Sequence, residues 1–386
     1  MCIRDSVGGE DTDHPGGHLK TIVHALQQHS RERGDSVALV QDDRAITFRE
    51  LDEQSTQVAG ALRSTGVGYG DRVAYLAKNV PEYLLVLLGA CKVGAVLVPV
   101  NWRLAQAEVE VIVNDAGANV LLVAEEFASG PFIEGRRAIT LGDEFDAWLD
   151  AAPVGPVTEP GPQDVAVQLY TSGTTGLPKG VMLTHDNLVR QLEAVVDVTG
   201  CGEGAVNLTV MPVFHIAGTA ALLSGVWMGC TGVLVRELVP AEVLIRIARH
   251  RVTHTVFVPA VIQALLECDQ IGNTDLSSLR TILYGASPIA ESVLIRAMAV
   301  FGCDFVQAYG LTETTGMAVC LSREDHLHVR EHPKRLRAAG RPVGDMELRI
   351  VDTGSGTDLP VGSVGEVWMR GGFVMAGYWN RTDDTT

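Results

Sequence analysis

The chain has 386 residues, which is too long for one compact core and predicts two or three folding units. Hydrophobic residues make up 46% and aromatic residues 5% of the chain, a balance that favours a globular α/β protein over a disordered or fibrous one. The formal net charge of -17 argues against nucleic-acid binding. A negatively charged substrate would therefore need positive charge supplied locally at its site.

The cysteines and the apolar segments indicate the compartment. Seven cysteines are scattered without a CxxC pair, which is typical of reduced thiols in a cytosolic protein and argues against a zinc site. Residues 1–18 lack periodicity and a secretory signal, so we expect a disordered or non-native leader. The apolar run 84–100 is broken by Lys92, Gly94 and Pro99, which favours a buried helix and strand over a transmembrane segment. We expect a cytoplasmic protein, with peripheral membrane attachment and a homodimer left open.

The first series of elements, over residues 19–163, alternates helices with strands. Thr47 is a predicted helix N-cap, because Glu50 follows three residues later as in a capping box, and Gly66 is predicted to end that helix. The pattern then predicts strands over 72–76, 95–98 and 120–123, with helices over 81–93 and 105–116. Such alternation predicts right-handed βαβ units around a parallel sheet. Residues 151–163, rich in Pro and Gly, read as a linker.

A second series over residues 164–339 repeats this alternation. It predicts strands over 165–169, 206–211, 231–235, 253–258, 281–284 and 305–308, and helices over 238–249, 261–268 and 289–301. Over residues 340–380 the sequence pattern changes, because it predicts two short strands, at 346–352 and 365–370, that are separated by turn residues. This last part is predicted to be a small antiparallel β-barrel unit.

The segment Tyr170–Gly180, YTSGTTGLPKG, predicts a phosphate-binding loop. Its three glycines allow the backbone to turn tightly and bring N–H groups to an anion, while its hydroxyl side chains and Lys179 add donors and positive charge. The segment is not a Walker A loop, because Pro178 precedes the lysine and a strand, not a helix, is predicted to follow. Taken as a lone stretch, it could also be an ordinary Thr- and Gly-rich surface loop.

The whole eleven-residue segment resembles the signature of the AMP-forming adenylate synthetase superfamily, which includes acyl-CoA synthetases, aryl-CoA ligases, firefly luciferase and peptide-synthetase adenylation domains. Further segments resemble motifs of the same superfamily: PVFHIAG at 212–218, YGAS at 284–287 and QAYGLTETT at 307–315. The resemblance covers nearly the whole chain from about Leu19 and is greatest to bacterial fatty acyl-CoA synthetases. It implies a large N-terminal adenylate-forming domain over 19–386, with two stacked βαβ-type sheets in a layered αβαβα arrangement. The superfamily's downstream Thr-Gly-Asp, hinge and small C-terminal domain with a catalytic lysine do not occur in the chain, so we expect a large N-terminal fragment or one piece of a longer protein.

The resemblance also implies a role for individual residues. The residues expected to bind ATP or AMP are Thr171, Ser172, Gly173, Thr174, Thr175, Gly176, Lys179, Gly285, Ala286, Ser287, Gln307, Ala308, Tyr309, Gly310 and Thr312. The acyl group is expected to contact His215, Ile216, Ala217, Gly218, Val258, Gly316 and Met317. Lys179, His215, Thr312 and Glu313 form the expected catalytic set, in which Glu313 holds Mg²⁺, Thr312 contacts the α-phosphate and Tyr309 stacks near the adenine.

Several of these residues also have an ordinary structural interpretation. Glu313 alone could be a carboxylate favoured at a helix start, Ser287 could cap a helix that begins after Pro288, and a lone His215 could be structural. Near the end of the second series, His326, His328 and His332 are expected in a solvated loop and not in a metal site. The basic cluster of Arg330, Lys334, Arg335, Arg337 and Arg341 is expected to be solvated, with attraction of CoA phosphates as the alternative.

The resulting hypothesis is ATP-dependent activation of a carboxylic acid, with Mg²⁺ as cofactor and ATP and CoA as co-substrates. The acid is expected to be a fatty acid, which would form an acyl adenylate and then an acyl-CoA thioester. Two alternatives stay open, an aryl-acid CoA ligase and a non-catalytic nucleotide- or acyl-binding protein. As a fragment, the chain is expected to bind ATP weakly and to turn over poorly.

Overall fold

The computed structural model describes residues 20–153, 155, 157–172, 176–327 and 333–385, apart from the side chains of Pro333 and Lys334. The expected leader, the loop residues Gly173, Thr174 and Thr175, and His328, Arg330 and His332 lie outside the described residues. The α-helices are α1 (Ile22–Arg33), α2 (Phe48–Ser64), α3 (Glu82–Cys91), α4 (Gln106–Ala116), α5 (Asp143–Asp150), α6 (His185–Thr199), α7 (Ile216–Met228), α8 (Pro240–His250), α9 (Pro259–Leu266), α10 (Glu291–Phe301), α11 (Arg323–Leu327) and α12 (Thr382–Thr385).

The strands form two large sheets and one small sheet. They are β1 (Val37–Gln41), β2 (Arg44–Thr47), β3 (Arg72–Leu76), β4 (Val96–Pro99), β5 (Val120–Val123), β6 (Arg137–Thr140), β7 (Val165–Ser172), β8 (Pro178–Thr184), β9 (Val206–Thr209), β10 (Thr231–Leu234), β11 (His254–Phe257), β12 (Thr281–Gly285), β13 (Asp304–Tyr309), β14 (Val319–Leu321), β15 (Arg341–Pro342), β16 (Glu347–Val351), β17 (Glu366–Arg370) and β18 (Gly377–Tyr378).

The first sheet has the strand order β18-β8-β7-β4-β3-β5-β6. Its strands from β7 to β6 run parallel, whereas β8 and β18 add antiparallel partners at one edge. Strands β4 and β5 are buried at every position. Continuous apolar strands of this kind are typical of a parallel sheet that is covered on both faces.

The second sheet has the order β15-β14-β13-β12-β11-β9-β10-β1-β2. The strands from β13 to β1 are parallel, and antiparallel strands close both edges. The register places Asn207, His254 and Thr281 opposite one another on β9, β11 and β12. Because side chains alternate between the faces of a strand, these three lie on one face, as do Val256 and Leu283 two positions further along.

Helices fill the space between the two sheets and cover their outer faces. One apolar cluster joins both sheets to helices α1, α2, α3, α6 and α7, which therefore form the middle layer. Helix α4 covers the outer face of the first sheet, and helices α8, α9 and α10 cover the outer face of the second. The predicted αβαβα arrangement is confirmed.

Sheet membership does not follow the order of the two series along the chain. Strands β1 and β2 pair into the second sheet, whereas β7 and β8, which open the second series, pair into the first. Helix α7 was not predicted, because its apolar stretch has little helical alternation when nearly every side is covered. The small antiparallel unit is present, but β16 and β17 form a two-stranded sheet and not the expected barrel within the described residues.

Local predictions around the first helices are confirmed. The Thr47 hydroxyl accepts a hydrogen bond from the Glu50 backbone N–H at 3.2 Å, and the Glu50 carboxylate accepts one from the Thr47 N–H at 2.8 Å. Gly66, predicted to end α2, lies two residues after Ser64 with φ of 90°. In the described part of the chain, no helix is long and apolar enough to cross a membrane.

Candidate active site

A cavity of about 630 Å³ lies between one face of the second sheet and helices α6 and α7. Its walls follow β11 from Val258 back to His254 and β12 from Gly285 back to Thr281. The four residue steps from Gly285 to Thr281 correspond to about 13 Å along the strand. The cavity therefore runs from the carboxyl ends of the strands to their amino ends, and we name these its strand-carboxyl end and its strand-amino end.

The strand-carboxyl end is formed by backbone that turns sharply. Ala286, after β12, has φ of 67°, and Thr315, after β13, has φ of 55°, both in the left-handed region that residues with side chains rarely adopt. A side chain at Gly310 would meet the carbonyl oxygen of Gly316 at 1.9 Å. Strained backbone at the carboxyl ends of parallel strands is common where such sheets bind ligands.

Glu313 lies at this end and is held by three groups. Its carboxylate Oε1 accepts a hydrogen bond from the Tyr378 hydroxyl at 2.8 Å and a longer one from the Thr171 hydroxyl at 3.4 Å. Its backbone carbonyl accepts from the N–H of Met375 at 2.9 Å. Burial and the contact with Glu313 raise the pKa of Tyr378, so its hydroxyl stays a proton donor at neutral pH.

Lys179 lies on β8, opposite Thr171 of β7 in the antiparallel register. Its ammonium nitrogen is 3.1 Å from a carboxylate oxygen of Asp384 and 5.1 Å from the centre of the Tyr378 ring. The side chain is 14% exposed. Lys179 is thus connected to Glu313 through Tyr378, because one tyrosine contacts both.

His215 is the residue before α7 and lines the cavity. Its ring centre is 4.4 Å from that of Phe214. Partial removal from water and the nearby Arg103 charge lower the pKa of His215, which favours the neutral imidazole at pH 7. A neutral histidine at this point can accept or donate a hydrogen bond without adding charge.

The cavity brings together most of the described residues that the sequence singled out. Those that line it are Thr171, Ser172, His215, Ile216, Ala217, Val258, Gly285, Ala286, Ala308, Gly310, Thr312, Glu313, Gly316 and Met317. The described wall does not include Gly176, Lys179, Gly218, Ser287, Gln307 or Tyr309.

Glycines 218 and 285 are required for close backbone packing. A side chain at Gly218 would meet the Pro212 carbonyl oxygen at 2.2 Å, and one at Gly285 would meet that of Ala308 at 2.1 Å. Gly285 therefore lets neighbouring strands approach, in addition to lining the cavity. The suggested capping role of Ser287 is wrong, because the N-cap of α10 is Ala290.

His326 is not in a solvated loop, contrary to expectation. Its side chain is buried on α11, where one ring nitrogen bonds the Tyr284 hydroxyl at 2.9 Å and the other bonds the Ser322 carbonyl at 2.7 Å. Arg335 and Arg341 of the basic cluster both pair with Asp325, at 3.6 and 2.9 Å. The two arginine side chains are 47% and 76% exposed, in agreement with the expected solvated cluster.

Two features of the candidate site were missed from the sequence. Tyr378 carried no signal beyond its place in a GYWN segment, because its contact with Glu313 joins positions 65 residues apart. The strand-amino end of the cavity, with Asn207, His254 and Thr281, was also missed, although the alternation along each strand could have placed these side chains on one face.

Glu313 fits a magnesium ion that also binds phosphate oxygens. Magnesium is usually held by one or two carboxylates together with waters and substrate phosphates, and not by a complete set of protein ligands. Across the described ranges, no group of three or more His, Cys, Asp or Glu residues is arranged to hold a metal. A single carboxylate at the wall of the cavity matches the first kind of site.

Two stacked α/β sheets with a cavity at the carboxyl ends of the strands fit the class of adenylate-forming enzymes. The family model described as AMP-binding enzyme matches residues 26–379, and the chain belongs to this family. It is similar to a fatty acid–[acyl-carrier-protein] ligase, ScoC, of Streptomyces coeruleorubidus, with 36% identity over 391 residues that cover 96% of this chain and 72% of that protein. A feruloyl-CoA synthase of an Amycolatopsis species is 37% identical over 344 residues, covering 88% of this chain and 68% of that protein.

Among solved structures, the chain is similar to the inhibitor-bound N-terminal domain of FACL13 from Mycobacterium tuberculosis. The TM-score is 0.87 and the identity 28%, with 95% of this chain and 93% of that chain covered. The two large sheets and the layered arrangement are therefore those of an adenylate-forming N-terminal domain. The chain is an acid–CoA ligase by family, and adenylate-forming CoA ligases use ATP and CoA.

Proposed function

We propose that this ligase activates an elongated carboxylic acid in the cavity, first as an acyl adenylate and then as a CoA thioester. The observation that carries the proposal is the continuity of the cavity from Thr171, Thr312 and Glu313 to an apolar interior. A nucleotide at the strand-carboxyl end and an acid along the sheet would meet where these two parts join. Bringing the two reactants together in one cavity contributes much of the rate increase in such reactions.

In the first step, a carboxylate oxygen of the acid attacks the α-phosphorus of ATP. The new oxygen–phosphorus bond replaces the bond to the β-phosphate, and pyrophosphate leaves. In the second step, the thiolate sulfur of CoA attacks the acyl carbon, and AMP leaves with its phosphate oxygen. The thiol proton is released to solvent. Both steps gather negative charge near the α-phosphate, which a protein of net charge -17 must offset locally.

The residues proposed to offset this charge lie on β7, on β8 and after β13. We assign phosphate contacts to the hydroxyls of Thr171, Ser172 and Thr312, and a positive charge to Lys179, which now pairs with Asp384. Glu313 would hold Mg²⁺, which supplies positive charge to the phosphate oxygens when bound. Neutral His215, between the two parts of the cavity, would orient the acid.

The interior of the cavity favours an aliphatic or flat aromatic acid of some length. Its helix wall presents Ala217, Ala220, Ala221 and Ser224, a stripe of small side chains spaced three or four residues apart on α7. The small residues on this wall make the cavity wider. Val256 and Leu283 on the opposite wall, formed by the sheet, make the middle of the cavity apolar. The names of the relatives cover both fatty and aryl acids, so a fatty acid is the first candidate and an aryl acid the second.

The length of the acid distinguishes these candidates, and the variant Ala220→Phe tests which lengths the cavity accepts. The added ring would fill part of the cavity on α7, so activation of long acids should fall by at least about tenfold while short acids keep their rate. The measurement is acid-dependent exchange of pyrophosphate into ATP with a series of fatty and aryl acids. Ala248→Phe, on the far helix α8, serves as the control.

Equal losses for short and long acids in Ala220→Phe would contradict the assignment of the cavity as the acid site.

Cytoplasmic location, peripheral membrane attachment and a homodimer stay predictions from the sequence.

A further inference from the structure

The strand-amino end of the cavity is polar, unlike its middle. Asn207, His254 and Thr281 are register partners on three neighbouring strands, and each is between 5% and 6% exposed. We name these three residues the polar row. The next positions on the same face are the apolar Val256 and Leu283. The cavity floor thus changes from apolar to polar at the point where an extended ligand would end.

Each of three polar groups at this end donates one hydrogen bond to the backbone. The Thr281 hydroxyl donates to the Thr199 carbonyl at 3.0 Å, and the Asn207 amide donates to the Ala221 carbonyl at 2.7 Å. Ser224, which faces the polar row from α7, donates its hydroxyl to the Ala220 carbonyl at 2.8 Å. What remains for the cavity is acceptor capacity on three oxygens and the second N–H of the Asn207 amide. The Asn207 carbonyl oxygen, one of the three, has no hydrogen-bond partner within the described ranges.

His254 and two cysteines close this end. One ring nitrogen of His254 is 2.8 Å from the Thr253 hydroxyl. Cys201 lines the cavity and belongs to a small buried cluster with Cys230. The neighbouring Cys230 and His254 lower the pKa of Cys201. The end of the cavity is therefore rich in acceptors.

An apolar ligand end would bury these acceptors without partners. A buried polar group left unsatisfied costs about 1–3 kcal/mol, so a purely aliphatic end fits this region poorly. A hydroxyl group supplies a hydrogen atom to these acceptors, and its oxygen can accept from the second N–H of Asn207.

We propose that the polar row, with Ser224, is a subsite that binds a hydroxyl group at the far end of the acid substrate. The substrate class is an elongated carboxylic acid that carries a hydroxyl group about 13 Å from its nucleotide-facing end, the length of β12 between Gly285 and Thr281. The proposal rests on the proposed function, because it places the carboxylate at the strand-carboxyl end.

The test compares the affinities of ω-hydroxy fatty acids, from octanoic to dodecanoic, with those of their unsubstituted parents. Isothermal titration on the whole chain gives a dissociation constant for each acid. In the wild type, the best-fitting hydroxy acid should bind about tenfold more tightly than its parent, the effect of one good hydrogen bond. In the double variant Ser224→Ala, Thr281→Val, which removes two hydroxyls and little volume, this ratio should fall close to one.

Thr209→Val is the matched control. Its hydroxyl is buried on β9 and has no hydrogen-bond partner in the part of the chain described, and the residue does not line the cavity. The affinity ratio should keep its wild-type value in this variant. Equal binding of hydroxy and parent acids by the wild type would overturn the subsite, since water would then satisfy the polar row. An unchanged ratio in the double variant would overturn it as well.

Pyrophosphate exchange with the same acids separates this proposal from the proposed function. A changed affinity ratio without acid-dependent exchange would keep the subsite and reject adenylation. Exchange with all acids but no preference for hydroxy acids would keep adenylation and reject the subsite.

Discussion

Tyr378 is the residue that best connects the separate motifs of the site. Its hydroxyl donates to Glu313 and its ring lies beneath the Lys179 ammonium group. One aromatic side chain therefore positions both the carboxylate and the cation that the sequence assigned to phosphate and metal. Neither contact could be predicted from the sequence, because each depends on how β18 pairs with β8.

Tyr378→Phe tests this positioning role. The variant keeps the ring beside Lys179 but removes the donor to Glu313, so the carboxylate loses one restraint. A hydrogen bond to a charged group contributes about 1.5–3 kcal/mol, and we expect Mg²⁺-dependent binding of ATP to weaken about tenfold. Calorimetric titration of ATP at several Mg²⁺ concentrations measures this.

Tyr69→Phe is the matched control, because the Tyr69 hydroxyl also donates to a carboxylate, that of Asp164, away from the cavity. Its ATP binding should equal that of the wild type. Tyr378→Phe with unchanged Mg²⁺ dependence would show that Glu313 does not need the tyrosine.

Lys92 is a second residue whose structural role the sequence did not indicate. In the sequence it interrupted an apolar run; in the structure it is completely buried after α3. Its ammonium group is 2.5 Å from the Asp52 carboxylate and donates to the hydroxyls of Ser55 and Thr56 at 2.8 and 2.9 Å. Burial lowers the pKa of Lys92, while Asp52 favours its charged form.

Lys92→Met should destabilise the fold by about 3–5 kcal/mol, since it leaves Asp52 near the interior without its partner. Urea unfolding at pH 7 gives the free energy of unfolding of the variant and the wild type. Lys78→Met removes surface pairs with Glu126 and Glu237 and should cost below about 1 kcal/mol. A Lys92 variant as stable as the Lys78 variant would mean that the buried ion pair contributes no net stability.

At the scale of elements, most predicted helices and strands occur within a few residues of their predicted bounds. Periodicity sufficed for β3 and β5, whose bounds agree with the prediction. It failed for α7, which is apolar on nearly every side. Helix α7 forms a wall of the proposed acid site, so hydrophobic alternation could not identify one element that lines it.

The first residue of α6 makes the stability of the fold depend on pH. His185 is 1% exposed, and burial lowers its pKa to about 4, although Asp164 opposes the shift. The unfolded chain binds this proton near pH 6.5 and the folded chain only near pH 4, so folding loses stability as the pH falls through this window. The loss from this group should reach about 2 kcal/mol between pH 7 and pH 5.

Urea unfolding of the wild type and of His185→Leu at pH 7 and pH 5 measures the effect. The wild type should lose about 2 kcal/mol more than the variant between the two pH values. Equal losses would mean that His185 is protonated in the folded protein at pH 5.

At the scale of the whole molecule, the layered fold and the class of enzyme could be predicted because local motifs mark the ends of several strands. The assignment of strands to sheets could not, since β1 and β7 each leave their own series to pair across the molecule. The polar end of the cavity depends on the same long-range register, which sets Asn207, His254 and Thr281 side by side. Motifs therefore indicated the reaction, and sheet pairing determines what the far end of the substrate meets.

An acid and ATP are proposed to react in one cavity beside Glu313. Acid-dependent exchange of labelled pyrophosphate into ATP, measured for the wild type and for Glu313→Ala, tests it most directly. Loss of a group that stabilises charge in the transition state typically lowers the rate about 10²–10³-fold, and we predict a loss of this size. Glu324→Ala, an exposed carboxylate on α11, should exchange at the wild-type rate. Exchange by Glu313→Ala at the wild-type rate would contradict the account.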